Sequence, residues 1–286
     1  MSNRIVELGF MSHQGLDKKF RRAVRGNATK VTTLANDISL DFDVETIHKF
    51  RTTVKQLRAL LRWQGLAKDV FTLPFKKVYR AAGRIRDAQV LLAKTETMID
   101  TPVGLNDWLV TQIKAAEKTW ITIYDATWVA LWSEELRDKE IIMRNRTTMD
   151  LYNKLVKRLR QAADGRRITD TALHDLRKKV KDVLIVLTWY KKHGGRDKKL
   201  RSKLKTLDQL AEKAGEYMDA FSALRLINLY TRQEKDDRAV QPAYVLRVSL
   251  QKEKRRLRVE WIGQVRAFIG YDNKENISRA PLRRAR

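Results

Sequence analysis

One stretch of this 286-residue chain is written twice. Ile47 to Trp63 reads IHKFRTTVKQLRALLRW, and 126 residues downstream Leu173 to Tyr190 reads LHDLRKKVKDVLIVLTWY. His174, Arg177, Val180, Lys181, Leu187 and Trp189 thereby stand on His48, Arg51, Val54, Lys55, Leu61 and Trp63. Such a repeat commits the chain to two like units, each of which buries an apolar face it cannot bury alone.

The copy that begins at Ile47 has the period of a helix. His48, Arg51, Lys55, Arg58 and Arg62 follow one another at spacings of 3, 4, 3 and 4, which places them within a sector of about 80°. Ile47, Phe50, Val54, Leu57 and Leu61 occupy the adjoining sector, so the basic stripe borders the buried face instead of pointing straight into solvent. Cations three and four apart lie roughly 5 to 6 Å from one another and repel unless something anionic runs along them. The second copy has Leu184 opposite Arg58 and Thr188 opposite Arg62, and adds Lys178. The first half is therefore expected to be the stronger anion reader.

Composition points the same way. Sixty Lys and Arg against 34 Asp and Glu leave a formal net charge of +26, and the pI is near 10.3. A field of that strength concentrates polyanions and steers their approach, and nucleic acid meets this description as well as any inorganic polymer does. A hydrophobic content of 43% supplies a core, which excludes disorder for the bulk of the chain. The absence of cysteine rules out disulfides and thiolate metal sites and suits a reducing cytosol. No basic segment followed by an apolar run opens the chain, and no apolar stretch approaches a membrane span, so the expected location is cytoplasmic.

These residues resemble the CHAD family, named for a conserved histidine α-helical domain. The family signature reads like His-x-x-Arg-x-x-x-Lys/Arg-x-x-Arg on one helix, and a following helix resembles FKKVYRAAGRIRDAQVLL, present here at Phe75 to Leu92. The histidine that opens a basic stripe, the Gly-x-x-Arg-Asp element and the duplication agree largely independently. The resemblance covers roughly residues 15 to 270. It implies an all-α domain of two pseudo-symmetric four-helix repeats around a central basic groove that binds inorganic polyphosphate without catalysis.

In chain order, residues 1–14 lack sustained periodicity and read as a loose arm, 15–137 as the first repeat, 138–147 as a connection, 148–270 as the second repeat and 271–286 as a basic disordered tail. Leu16, Phe20, Val24 and Ala28 mark the first helix, with Arg22 and Arg25 on another face. The acidic DFDVET ahead of His48 suits a helix start, and Pro74 suits a first turn. On the Phe75 helix Arg80 and Arg84 share a broad face with Asp87, which reads as an orienting partner for an arginine or for His48. Gly83 reads as a place where two helix backbones approach closely. One long helix is expected from Leu105 to Leu136, with its tryptophans in the core. The sequence KKHGGRDKKLRSKLK (191–205) reads as a mobile cationic loop. AAGRIRDA and KAGEYMDA match at an offset of 132, so that Glu216 replaces Arg84 while Gly215 and Asp219 are kept. The last helix carries a dense patch that includes Lys252 and Arg255. No strand pattern is found.

The chemistry that follows is binding. The candidate phosphate contacts are Arg51, Lys55, Arg58, Arg62, Arg177, Lys178 and Lys181, with His48 and His174 adding hydrogen bonds and Arg80, Arg84, Arg22, Arg25, Lys252 and Arg255 next in line. No Gly-rich phosphate loop, nucleophile elbow or paired metal-ligating histidines occur among the four His, and Asp87 and Asp219 stand isolated from other carboxylates, so the chain reads as no enzyme, with no cofactor and no metal of its own. Any Mg²⁺ or Ca²⁺ would travel with the polyanion. The alternatives are a nucleic-acid-binding helical protein, against which stands the lack of aromatics within the stripes, and an adaptor that docks on polyphosphate granules and recruits a protein partner.

Overall fold

Asp43 starts the first signature helix: its carboxylate accepts from the Thr46 backbone N–H at 2.7 Å, satisfying a donor the helix leaves unpaired. The helix stops just past Trp63, where Gly65 takes a left-handed conformation (φ 76°) and donates its N–H to the Arg62 and Leu61 carbonyls, a conformation cheap only for glycine. In this computed structural model, which describes residues 13–98, 100–141, 147–164, 168–195, 198–235 and 237–270, ten helices follow in order and no strand occurs among the described residues. They are α1 (His13–Asp41), α2 (Val44–Gln64), α3 (Ala67–Val70), α4 (Leu73–Glu96), α5 (Leu105–Ile123), α6 (Ala126–Asp138), α7 (Thr148–Asp164), α8 (Asp170–Lys192), α9 (Lys198–Gln233) and α10 (Asp237–Phe268).

The two halves pack alike. In the first, α1 lies on α2 and α6, and α4 on α5; in the second, α7 lies on α8 and α10, and α9 on α10. Thus α5 and α6 together do the work of α10. The single helix expected from Leu105 to Leu136 is broken because Tyr124 turns extended and the Asp125 side chain caps α6, accepting from the Thr127 and Trp128 N–H groups. The expected loop at 191–205 is mostly helix: α8 runs to Lys192 and α9 starts at Lys198. Residues 1–12 of the predicted arm, the predicted tail and residues 142–146 of the predicted connection lie outside the described residues, while α1 already begins at His13, two residues inside the predicted arm.

Across the halves like meets like, with α2 packed on α8 and α4 on α9. Trp63 and Trp189, at equivalent positions, have ring centroids 6.0 Å apart, and Phe20 sets an edge against both. Val186 and Trp189 of α8 belong to the first half's core, and Leu91, Leu105 and Leu109 pack with Ile227, Tyr230 and Leu246 of the second. A shared interior of this kind fixes the two signature helices side by side, because packed cores deform little.

Candidate functional site

The side chains on the exposed flank of the α2–α8 contact open into a groove of about 770 Å³, closed on its other sides by α4, α9 and α10. His48, Arg51, Lys55, Arg58 and Arg62 line it from α2, and His174, Arg177, Lys178 and Lys181 from α8. Nine of the fifteen sequence candidates are thereby brought together. The other six are not: Arg22, Arg25, Arg80, Arg84, Lys252 and Arg255 are exposed elsewhere. Helix rotation is the reason, since neighbouring residues stand about 100° apart around the axis. On α4 the face turned to the groove carries Tyr79, Asp87, Val90 and Lys94, and on α10 it carries Glu253, Arg256 and Leu257, which turns Arg84, Lys252 and Arg255 away.

Gly83 serves a different purpose from the one its sequence suggests. A Cβ there would stand 2.4 Å from Nη1 of Arg51, so the glycine makes room for a guanidinium. Arg51 donates from that nitrogen to the Tyr79 carbonyl at 3.3 Å and lies 5.0 Å from the Tyr79 ring centroid. Arg58 shares the same ring at 5.5 Å and that of Phe71 at 5.4 Å. These cation–π contacts hold two arginines in place while leaving donors directed elsewhere. At the equivalent Gly215 a Cβ would meet nothing within 4 Å.

The electrostatics are those of cations short of partners. Burial, with Arg51, Arg177 and Lys181 beside it, brings the Lys55 ammonium from 10.5 down to about 7. Burial also lowers Lys181 and Arg177, and Arg58 likewise with the Arg62 charge adding to the effect. The His174 imidazole is lowered by burial and by the cations of Lys178 and Arg177. Arg58 Nε, Arg177 Nε and His174 Nδ1 are buried without a hydrogen-bond partner among the described residues, a costly arrangement unless a ligand completes it.

Carboxylates temper this field without cancelling it. The lining has ten Lys or Arg and five Asp or Glu among the described residues. Arg62 is paired with Asp182 of α8 at 2.9 Å, and Lys178 with Asp175 at 3.1 Å. Asp87 is indeed held by an arginine, Arg225 of α9 at 3.2 Å. Asp87 and the equivalent Asp219 both titrate above the usual carboxylate range because burial outweighs the nearby cations. Sequence reasoning missed Arg86, Lys94, Arg256 and Asp182, all of which line the groove. The signal for Arg256 was its spacing from Glu253 and Leu257 on one helical face; for Asp182 none existed, because its partner is 120 residues away. No group of His, Asp and Glu that could hold a metal ion occurs among the described residues, and among them no helix is long and apolar enough to cross a membrane.

The fold places the chain in a class of all-helical proteins whose two halves pack alike. Within that class the chain belongs to the CHAD domain family, whose family model matches residues 22–228. The solved CHAD domain from the plant Ricinus communis is similar over 90% of this chain and 92% of its own, with a TM-score of 0.66 and 20% identity. PptA from Streptomyces chartreusis is similar over 87% of this chain and 98% of its own, with a TM-score of 0.63 and 13% identity. At those identities the likeness is one of fold. No curated protein matches the chain.

Proposed function

We propose that this protein binds inorganic polyphosphate in the groove between α2 and α8 and performs no chemistry on it. The observation that carries the reading is the convergence of the two repeated basic rows on one trough in which Arg58 Nε, Arg177 Nε and His174 Nδ1 are buried without a partner among the described residues. The choice of polyphosphate as the polyanion rests on the resemblance to the CHAD family, and the groove suits it: a flexible chain with a charge on every residue is held by guanidinium forks and ammonium groups without any need for base recognition. Tyr79, the aromatic beside the basic rows, is occupied by Arg51 and Arg58, which leaves less of it for stacking a base. Cytoplasmic granules rich in polyphosphate are the corresponding location, with any divalent cation arriving as the counterion of the polymer.

The test is a filter or calorimetric titration with long-chain polyphosphate against the wild type and a double variant, Arg51→Glu and Arg58→Glu. Binding is abolished in the variant while its helical circular dichroism persists; retained affinity places the ligand elsewhere. In competition, polyphosphate displaces DNA at equal phosphate concentration. The opposite order favours the nucleic-acid reading.

A further inference from the structure

A second cavity, of about 650 Å³, is walled by α4, α5, α9 and, through Lys254, α10, and among the described residues it shares no lining residue with the groove. Its charged lining is of one sign: Arg84, Arg225, Arg232 and Lys254, with no Asp or Glu among the described residues. Arg84 and Arg232 are exposed and form no ion pair among the described residues. Lys254 is committed to Asp170 and lies over the Phe221 ring, and Arg225 is paired with Asp87 at 3.2 Å while its side chain stays 59% exposed, so Arg84 and Arg232 are the cations of this wall that form no ion pair among the described residues. The remaining wall is largely apolar, with Ala88, Ala116, Phe221, Leu224 and Leu229, and Leu229 is 39% exposed.

Inorganic polyphosphate gains nothing from such a wall. A molecule with an acidic head and an apolar body uses both parts, and a volume of several hundred Å³ is that of a site for one small molecule. We propose that this cavity binds a small amphiphilic organic anion, its carboxylate or phosphate on Arg84, Arg225 and Arg232 and its apolar part against Phe221, Leu224 and Leu229. Arg84, which the sequence places among the polyphosphate contacts, is thereby given a different anion.

The site itself does not depend on what the groove binds. One consequence does rest on the polyphosphate reading: Arg225 lines this cavity and also holds Asp87, whose carboxylate faces the groove. A ligand that draws Arg225 to itself leaves Asp87 less compensated beside the polyanion. Occupation of the second cavity therefore weakens polyphosphate binding.

The experiment is calorimetry on the full chain with decyl phosphate below its micellar concentration, decanoate, inorganic phosphate and decanol as separate arms. Decyl phosphate and decanoate bind at least about tenfold tighter than phosphate or decanol, since head and body both contribute. If only decyl phosphate does so, the head is a phosphate; if only decanoate, a carboxylate. Arg232→Glu and, at a half-exposed position that tolerates a charge, Leu229→Asp each weaken that binding about tenfold and leave polyphosphate affinity within about twofold. Arg177→Glu does the converse, so a failure of the groove reading appears separately, as polyphosphate binding that survives Arg177→Glu. Amphiphile binding no tighter than that of phosphate and decanol, or unchanged in both cavity variants, or lost with Arg177→Glu, overturns the site. Saturating decyl phosphate lowers polyphosphate affinity about threefold in the wild type and leaves it unchanged in Asp87→Asn; an unchanged wild type overturns the Arg225 link.

Discussion

Asp182 is a carboxylate in a groove built for anions, and replacing it by asparagine tests whether Arg62 is part of the binding surface. Arg62 and Asp182 meet at 2.9 Å, with side chains 33% and 16% exposed. A phosphate oxygen on the free edge of the Arg62 guanidinium would lie roughly 6 Å from the Asp182 carboxylate. At that distance two like charges repel by about 0.7 kcal/mol in bulk water and about 2.8 kcal/mol at an effective dielectric constant near 20. Asp182→Asn removes this repulsion and frees Arg62, so polyphosphate affinity rises by a factor of roughly 3 at the lower limit and 100 at the upper, since about 1.4 kcal/mol is tenfold. Salt of about 0.15 M, with a Debye length near 8 Å, moves the gain toward the lower end. The amide keeps an oxygen that accepts from Arg62, so the fold loses on the order of 1 kcal/mol, about 2–4 °C in melting temperature. Fluorescence anisotropy with end-labelled polyphosphate at two salt concentrations measures the affinity, and a thermal melt the cost. An affinity that falls or stays level shows that Arg62 does not face the ligand and refutes the electrostatic account of this end of the groove.

Three further outcomes follow from the same geometry. A bound polyanion restores the charge of Lys55 and takes up a proton, so affinity is highest below about pH 7 and falls as pH rises past it; in Lys55→Arg, which stays charged, the profile between pH 6 and 9 flattens. The neighbouring groups act in the same sense, because His174 gains charge and Asp87 and Asp219 lose it as pH falls. Stability runs oppositely: the folded chain binds fewer protons at Lys55 than the unfolded one between about pH 7 and 10.5, so this residue's contribution to denaturation midpoints rises across that window. Gly215→Ala, with open space around the added methyl, gains the helix propensity of about 1 kcal/mol; Gly83→Ala displaces the Arg51 guanidinium, forfeits that gain in a urea melt and weakens polyphosphate binding several-fold, about 1 kcal/mol. Trp189→Ala empties the place where Trp63, Phe20 and His193 converge and costs about 3–5 kcal/mol; a loss below about 1 kcal/mol in chemical denaturation would show that the joint between the halves repacks freely.

How far the sequence spoke depended on whether the information was local. The stripe from His48 to Arg62, the helix start within the acidic DFDVET ahead of it and the helical character of the segments are local properties, legible from residue type and spacing. What escaped is set by how far each helix is rotated about its own axis, which depends on packing against partners more than a hundred residues away. Charge density nominated Arg80, Arg84, Lys252 and Arg255, whereas the faces chosen by the α4–α9 and α9–α10 contacts admit Arg86, Lys94 and Arg256. Gly83 is the sharpest instance: in sequence it is a helix-weakening residue with a presumed backbone neighbour, and in space it is the seat of an arginine that the opening stripe had already named. The repeat therefore carried the site further than composition did, because a twofold arrangement of like helices forces the α2 and α8 rows onto the same trough, and no count of lysines and arginines imposes that.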